Sequence, residues 1–305
     1  MSPTKITALF PVWAIIMALI AYSIPSTFSA FKSWIVPLLS LVMFGMGMTL
    51  TWEHFTHVLK RPGIVGIAVS TQFLFMPFAA FWISDMLALS RAQTIGMLLV
   101  GTSAGGTASN VICYLARGNL ALSVLLTSVS TLIAVFATPA ISYFYLHETI
   151  PVPVWKMIVS IAQIVLLPVF AGTLVNRYFS RTIIPIQAIF PLISTLSIIF
   201  IIAIIVAINA DSLATAGPLI LFAVILHNSS GLMAGYLVSK CFGYNEQTCR
   251  TVSIEVGMQN SGLSVALAMN YFSSLAALPG AVFSIWHNIS GALLASFWGK
   301  SKNDV

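Results

Sequence analysis

One carboxylate of this sequence lies deep within an apolar stretch. Glu255 is the only charged residue between Thr251 and Gly299. An ionised side chain in apolar surroundings must be neutralised by a proton, a partner or a cation, and no Lys or Arg lies at a matching depth in another apolar stretch. We therefore expect Glu255 to bind a cation, with a protonated, hydrogen-bonded carboxyl group as the alternative. The other acidic residues lie in connections or at the ends of apolar stretches: Glu53, Asp85, Glu148, Asp211, Glu246 and Asp304.

Two polar, glycine-containing segments are poor candidates for the interior of a helix. They run from Gly101 to Asn110 and from Ser253 to Gly262, and the second contains Glu255. Gly costs about 1 kcal/mol relative to Ala in a helix, and Ser, Thr and Asn side chains compete for backbone hydrogen bonds. Interrupted helices free carbonyl oxygens, which together with hydroxyl and amide oxygens suit a small hard cation.

The composition places nearly the whole chain in a membrane. Hydrophobic residues make up 59% of the 305 residues, charged residues make up 7%, and the mean hydropathy is +1.00, whereas soluble domains carry about 25% charged residues. This excludes a soluble or disordered chain, a nucleic-acid module and a disulfide scaffold. The long apolar stretches also exclude an outer-membrane barrel, whose strands alternate over ~10 residues. Cys113, Cys241 and Cys249 lack a metal-binding spacing and are interpreted as packing residues.

The charged residues divide the sequence into membrane spans. Eight charge-free stretches are each long enough to cross a bilayer as a helix, which needs about 20 residues. The tail from Thr251 to Gly299 is too long for one helix and must turn once, near Ser273, Ser274 and Pro279-Gly280. The sequence thus predicts an all-α polytopic membrane protein with ten transmembrane helices. The eight stretches are Ile6–Phe31, Ser33–Trp52, Pro62–Ser84, Ala92–Ala116, Gly118–His147, Met157–Asn176, Thr182–Ala210 and Ser212–Ser239.

Basic residues in the connections predict the orientation of these helices. With both termini on one side, the opposite side receives only Lys32, Arg91 and Lys156 of the 13 Lys and Arg residues. The positive-inside rule then predicts cytoplasmic termini in an inner (cytoplasmic) membrane, so the net charge of +6 reflects topology. Cleavage of Ile6–Ile24 as a signal peptide is the alternative, which the length of its apolar stretch disfavours. The side of the termini carries Lys5, Lys60, Arg61, Arg117, Arg177, Arg181, Lys240, Arg250, Lys300 and Lys302.

Ten helices divide into two groups of five at the short connector Pro151-Val152-Pro153. An odd number of helices in each half means that the second half enters the membrane inverted. We expect residues 1–150 to form helices one to five and residues 151–305 to form helices six to ten. The two polar segments then fall at corresponding positions, in the fourth and ninth helices. Interrupted helices at such positions indicate a binding site near the membrane midplane.

Three other functions fit parts of this pattern. A proton-coupled transporter would use Glu255 as its proton carrier, and a channel or passive facilitator would need no coupling ion. The stretch from Gly101 to Gly105 also matches the G-x-S-x-G nucleophile motif, so that Ser103 with His227 or His287 would form an intramembrane serine hydrolase. That motif lacks its strand-to-helix context here and leaves Glu255 unexplained. We therefore expect a transporter, not an enzyme, without a catalytic cofactor.

Both polar segments resemble those of the bile acid:sodium symporter family, specifically its bacterial ten-helix members related to the apical sodium-dependent bile acid transporter. The resemblance rests on the stretches from Gly105 to Asn110 and from Glu255 to Gly262 and extends over essentially the whole chain. It implies a panel of helices one, two, six and seven against a core of helices three to five and eight to ten, in which the unwound fourth and ninth helices cross. The implied activity is symport of sodium with an organic anion, a bile acid or a similar carboxylate.

The resemblance also implies two sodium sites that share Glu255. A lone Ser123 or Thr127 in an apolar helix would otherwise be interpreted as a packing residue, whereas the Gln72 amide in mid-span requires a buried partner. The first site would comprise Ser109, Asn110, Ser123, Thr127 and Glu255. The second site would comprise Gln72, Glu255, Gln259 and the main-chain oxygens of Val256 and Met258.

Substrate contacts implied by the same resemblance are Thr107, Asn260, His287 and Asn288, whose hydrogen-bond donors suit an organic anion. His287 and His227 have an alternative interpretation as neutral buried histidines with local partners. The expected partners are thus the lipid bilayer, sodium and an organic anion, with neither a nucleic acid nor an obligate protein partner.

Overall fold

The computed structural model describes residues 10–50, 62–148 and 150–300, except for the side chains of residues 180–188 and Lys300. Within these ranges the chain is built from helices, with one isolated antiparallel bridge between Gly105 and Gln259. Five of the described helices are long and apolar enough to cross a membrane. The prediction of an all-α multi-pass membrane protein is therefore confirmed.

Several helices in the first half of the chain begin at polar capping residues or at proline. The described helices are α1 (Phe10–Ser23), α2 (Pro25–Ser29), α3 (Ile35–Gly47), α4 (Pro62–Met86), α5 (Arg91–Gly101), α6 (Ala108–Leu115) and α7 (Leu120–Leu146). At the start of α5, Ser90 and Gln93 form a reciprocal capping box. At the start of α7, the Asn119 side chain accepts a hydrogen bond from the Leu122 N–H at 3.0 Å. These caps fix where two of the helices beside the polar segments begin.

The second half of the chain is also built from helices. Its described helices are α8 (Val154–Phe179), α9 (Ile189–Ile208), α10 (Ala210–Cys241), α11 (Glu246–Gly257), α12 (Ser261–Tyr271) and α13 (Ser274–Lys300). Phe179 has non-helical angles (φ −123°, ψ 21°) and marks the bend between α8 and α9. The turn expected in the tail lies at Phe272 and Ser273, whereas Pro279 and Gly280 lie inside α13. The Pro-Gly pair therefore does not form that turn.

Both polar segments interrupt a helix. α5 ends at Gly101 and α6 begins only at Ala108, while α11 ends at Gly257 and α12 begins at Ser261. Between α11 and α12 the backbone is extended at Met258 (φ −105°, ψ 100°). The two gaps lie beside each other, because the isolated bridge joins a residue of one gap to a residue of the other.

Helices from the two halves of the chain pack against each other in pairs. α1 packs on α9 through buried residues that include Ala14 and Ile202. α3 packs on α8, where the Thr173 hydroxyl and the Asn176 amide donate hydrogen bonds to the Gly47 and Leu50 carbonyls at 3.2 and 2.9 Å. Side-chain hydrogen bonds of this kind hold helices together in lipid, where apolar contact alone gives little preference.

Arg117 and Lys156, one from each predicted side of the membrane, lie near opposite ends of the interrupted helix formed by α11 and α12. The Gln247 amide donates to the Gly118 carbonyl at 3.4 Å, so the turn that carries Arg117 lies beside the start of α11. At the opposite end, the Tyr271 hydroxyl donates to the Lys156 carbonyl at 2.8 Å. Several charged residues of the predicted connections and chain ends lie outside the described residues or have side chains outside them: Lys5, Glu53, Lys60, Arg61, Arg181, Lys300, Lys302 and Asp304.

Candidate cation site at the crossing of two interrupted helices

The two interruptions bind each other through their backbones. The Gly106 N–H donates to the Met258 carbonyl at 2.7 Å, and the Asn260 N–H donates to the Ala104 carbonyl at 2.8 Å. These two hydrogen bonds flank the bridge between Gly105 and Gln259. Backbone groups that the broken helices leave without helical partners are thereby satisfied inside the protein, as the apolar membrane interior requires.

Only glycine fits at the centre of this crossing. A Cβ on Gly105 would lie 2.9 Å from Glu255 Oε2, and a Cβ on Gly106 would lie 2.7 Å from the Gln259 carbonyl oxygen. Such contacts are too short for carbon and oxygen atoms, so a side chain at Gly105 would displace the Glu255 carboxylate, and one at Gly106 would move the backbone at Gln259. The consecutive glycines in the sequence thus hold the Glu255 carboxylate against the gap between α5 and α6.

Hydroxyl groups from three places in the chain converge on the Glu255 carboxylate. Ser109 Oγ donates to Oε1 at 2.5 Å, Thr127 Oγ1 donates to Oε2 at 2.8 Å, and Ser123 Oγ also donates to Oε1. Glu255 is 4% exposed, and neither of the ion pairs found among the described residues involves it. The carboxylate therefore lies in a buried, oxygen-lined site at which no Lys or Arg of the described residues compensates its charge.

Asn110 completes the first predicted set of ligands. Its side-chain oxygen accepts a hydrogen bond from Ser123 Oγ at 2.9 Å, and the Ser109 and Thr127 hydroxyls lie 3.5 Å apart. The structure thus brings together all five residues of this set from α6, α7 and α11. The set offers carboxylate, hydroxyl and amide oxygens with one formal negative charge, which fits a hard monovalent cation and not a soft metal.

The second predicted set forms an adjoining network of amides. Gln72 Nε2 donates to Gln259 Oε1 at 2.6 Å and to the Ser103 carbonyl at 2.7 Å, and Gln259 Nε2 donates to the Val256 carbonyl at 2.7 Å. The Met258 carbonyl accepts the Gly106 N–H. Among the described residues, no hydrogen bond joins either glutamine to the Glu255 carboxylate. The residues of this set therefore contact one another, and the backbone of α11 connects them to Glu255.

A local change in helix geometry presents Gln72 to this network. Residues Thr71–Phe75 form a π-helical turn within α4, in which the Met76 N–H binds the Thr71 carbonyl five residues earlier. Pro77 follows directly and supplies no N–H, which favours such a turn before it. The wider turn places the buried Gln72 amide beside the interruption of α5 and α6.

The residues expected to contact substrate are only partly free to do so. Thr107 is half-buried at the start of α6, whereas the Asn260 side-chain oxygen caps α12 by accepting the Leu263 N–H at 3.1 Å. The Asn288 amide donates to the Ser284 carbonyl within its own helix at 2.8 Å. His287 is 4% exposed, and its Nδ1 has no hydrogen-bond partner among the described residues.

The geometry argues against a serine hydrolase. Ser103 Oγ donates to the Leu99 carbonyl of the preceding helix α5 at 2.7 Å and is fully buried. His227 Nε2 lies 3.0 Å from the Met76 carbonyl, and no hydrogen bond joins Ser103 to a histidine among the described residues. A nucleophile needs a base within hydrogen-bond reach. The match to the G-x-S-x-G motif therefore arises by chance from the small polar residues that follow α5.

Two residues that the sequence reasoning missed support the crossing. The Ser130 hydroxyl accepts the Gly105 N–H at 3.2 Å. The fully buried Asn228 donates its amide to the Gly257 carbonyl at 2.8 Å and accepts a hydrogen bond from Ser290 Oγ at 2.7 Å. An amide in the middle of an apolar helix was the signal that singled out Gln72, and the same signal applies to Asn228.

We expect the Gly106→Ala variant to need about five- to 150-fold more sodium for half-maximal uptake. The new methyl group would push against the Gln259 carbonyl, and overpacking of this kind costs about 1–3 kcal/mol. The sodium dependence of uptake in proteoliposomes measures this shift. Gly66→Ala in α4 is the matched control, because nothing lies within 4 Å of the added carbon. An unchanged sodium dependence in Gly106→Ala would show that the crossing tolerates displacement.

Comparison with known proteins agrees with this geometry. The model of the sodium bile acid symporter family matches residues 36–216. An uncharacterized sodium-dependent transporter, YocS of Bacillus subtilis (strain 168), is 41% identical over 95% of this chain and 91% of its own length. The probable chloroplastic sodium/metabolite cotransporter BASS1 of Arabidopsis thaliana is 38% identical over 97% of this chain and 74% of its own length. The chain therefore belongs to the sodium bile acid symporter family and is a membrane transporter, not an enzyme.

Proposed function

We propose that this protein is a sodium-coupled symporter that carries an organic anion into the cytoplasm by alternating access. The observation that carries the proposal is the buried Glu255 carboxylate surrounded by the Ser109, Ser123 and Thr127 hydroxyls. Two of the similar proteins bear names that specify sodium dependence or sodium/metabolite cotransport. A carboxylate that lacks a basic partner among the described residues can bind and release a cation without breaking a permanent ion pair.

Two sodium ions are proposed as the coupling ions. The first would bind between the Glu255 carboxylate, the three hydroxyls and the Asn110 side-chain oxygen, since each hydroxyl can turn a lone pair toward a cation. The second would bind where Gln72 and Gln259 meet the carbonyls of Val256 and Met258 beside Glu255. Occupation of both sites would stabilise the crossing, because their ligands come from both interrupted helices and from α4 and α7.

Ten transmembrane helices in two inverted halves are proposed as the architecture. α5 with α6 would be the fourth helix and α11 with α12 the ninth. In an inverted repeat, helices one and two correspond to helices six and seven, so a contact between helices one and seven has its equivalent between helices six and two. The packing of α1 on α9 and of α3 on α8 agrees with this relation. The panel would comprise α1, α3, α8 and α9, and the core would move against this panel during transport. Both termini are proposed to lie in the cytoplasm, with the chain in the inner membrane.

The proposed substrate is a bile acid or a similar carboxylate. Thr107 and Asn260 lie at the crossing, and His287 and Asn288 lie on α13, whose Ser284 hydroxyl is 2.6 Å from that of Ser261 at the start of α12. Hydroxyl, amide and imidazole groups can donate hydrogen bonds to an anion. The substrate would therefore bind beside the sodium sites, and sodium would favour its binding by fixing the crossing.

Sodium and proton coupling give opposite results in proteoliposomes. If sodium drives transport, uptake of the anion at fixed pH should rise with the sodium gradient, and dissipation of the pH gradient alone at clamped voltage should change uptake little. If Glu255 instead carries a proton, a pH gradient in sodium-free medium should drive uptake. A screen of bile acids and small carboxylates for binding with and without sodium would identify the substrate for this assay.

A further inference from the structure

Gln163 is an exposed amide in the middle of a membrane-spanning helix. It lies seven residues after Lys156 in α8, so about 10 Å of helix separate it from this charged residue at 1.5 Å per residue. The hydrocarbon core of a bilayer is about 30 Å thick. The amide therefore lies inside the apolar layer, about a third of the way across it from the side of Lys156.

The face that carries Gln163 is directed outward. Trp155, Val159, Leu167 and Phe170 share this face and are 73%, 38%, 65% and 54% exposed. The opposite face of α8 is buried against the rest of the protein through Met157, Ile161, Ile164 and Val165. Because large apolar residues surround the glutamine on the exposed face, this face adjoins lipid and not a polar cavity.

Gln163 has no hydrogen-bond partner among the described residues for its side-chain amide. Its main-chain carbonyl is also deprived of a helical donor, because residues Ala162–Leu166 form a π-helical turn. In that turn the Leu167 N–H binds the Ala162 carbonyl, and Pro168, five residues after Gln163, has no N–H. Lipid tails offer no partner for the side-chain amide, so it requires a second polar group within the membrane.

We propose that α8 forms a homodimer contact in which Gln163 hydrogen-bonds Gln163 of the partner subunit. A primary amide is self-complementary, since its N–H can donate to the oxygen of an identical amide while its own oxygen accepts. Two copies with the same orientation in the membrane are related by a two-fold axis along the membrane normal, which places identical positions of parallel helices opposite each other.

The spacing of the exposed residues fits this contact. Val159, Gln163, Leu167 and Phe170 are separated by four, four and three residues, close to the alternating spacing of a parallel helix seam. One polar residue in such an apolar seam fixes its register, and amides are among the side chains that join helices in membranes. The contact lies on the face of α8 opposite the buried side, and it is independent of the proposed sodium sites.

Self-association in lipid bilayers tests the proposal. Copies labelled with donor or acceptor fluorophores are reconstituted over a series of protein-to-lipid ratios, and energy transfer reports the dimer fraction. We expect Gln163→Leu to need about tenfold more protein per lipid for the same dimer fraction, and Gln163→Asn, which keeps an amide, to retain most of the association. Phe136→Leu, at a 64% exposed residue of α7 away from this face, is the apolar control and should leave association nearly unchanged.

Disulfide formation locates the contact independently. In a variant without Cys113, Cys241 and Cys249, Leu167→Cys should form an intermolecular disulfide, whereas Phe136→Cys should not, since the 64% exposed Phe136 lies on α7. Equal energy transfer in the original protein and Gln163→Leu would overturn the proposal. A monomer at every lipid ratio would also overturn it, as would disulfide formation at Phe136 but not at Leu167.

Discussion

We expect the Glu255→Gln variant to lose sodium-stimulated uptake while it remains folded in the membrane. Gln keeps the shape of the side chain and one oxygen, but it removes the negative charge that would neutralise sodium in both proposed sites. Removing one partner of a buried charge pair costs about 3–5 kcal/mol, which corresponds to a loss of sodium affinity of at least about a hundredfold. Uptake at increasing sodium concentrations, together with the amount of protein extracted from the membrane, measures both parts of this expectation.

Two further variants make the result specific to the site. Glu148→Gln removes an acid whose side chain is 85% exposed and should transport like the original protein. Glu255→Ala removes the oxygen that Gln retains and should be equally inactive if charge is the decisive property. Sodium stimulation of normal size in either Glu255 variant would contradict the assignment of the cation to this carboxylate.

Single residues whose chemistry conflicts with an apolar helix were predictable from the sequence. Glu255 and Gln72 stand out because a charge or an amide in hydrocarbon is costly without partners, and the structure gives each of them buried hydrogen bonds. The interruptions at Gly101–Asn110 and Ser253–Gly262 were predictable for the same reason, since those residues weaken a helix by themselves. Such signals are local, so one sequence is enough to reveal them.

Contacts between helices were not predictable from the residues alone. Ser123 and Thr127 have the composition of packing residues, and only their position opposite Glu255 distinguishes them. The contact of Asn228 with Gly257 depends on how the two helices are rotated about their axes. The exposed face that holds Gln163 depends in the same way on which side of α8 is buried.

The turn between α12 and α13 shows how a local signal can mislead. Pro279 and Gly280 are strong turn-forming residues, yet they lie inside α13, and the chain turns at Phe272 and Ser273. The Ser273 hydroxyl accepts the Ala276 N–H at 3.2 Å and so caps the start of α13. Capping outweighs the Pro-Gly pair here because Pro279, as the sixth residue of α13, removes a single helical hydrogen bond.

Two sodium ions per monovalent anion should make transport electrogenic, with one net positive charge entering per cycle. Each tenfold sodium gradient contributes about 1.4 kcal/mol per ion, and a membrane potential of 100 mV contributes about 2.3 kcal/mol per charge. The combined drive is about 5 kcal/mol, which would sustain an accumulation of several thousandfold. Uptake in proteoliposomes with imposed potentials, and the ratio of radioactive sodium to anion taken up, measure the predicted voltage dependence and stoichiometry.

Variants of the two ligand sets should separate the contributions of the two ions. Gln72→Ala and Gln259→Ala remove amides of the second set, so the sodium dependence should lose its sigmoidal shape or shift to higher concentration. Ser109→Ala and Asn110→Ala should weaken the first site and, through the shared Glu255, the cooperativity between the sites. Gln247→Ala, at an exposed glutamine of α11, is the matched control and should keep the sigmoidal dependence. Voltage-independent uptake, or a sodium-to-anion ratio of one with a monovalent substrate, would show that only one of the two sites takes part in transport.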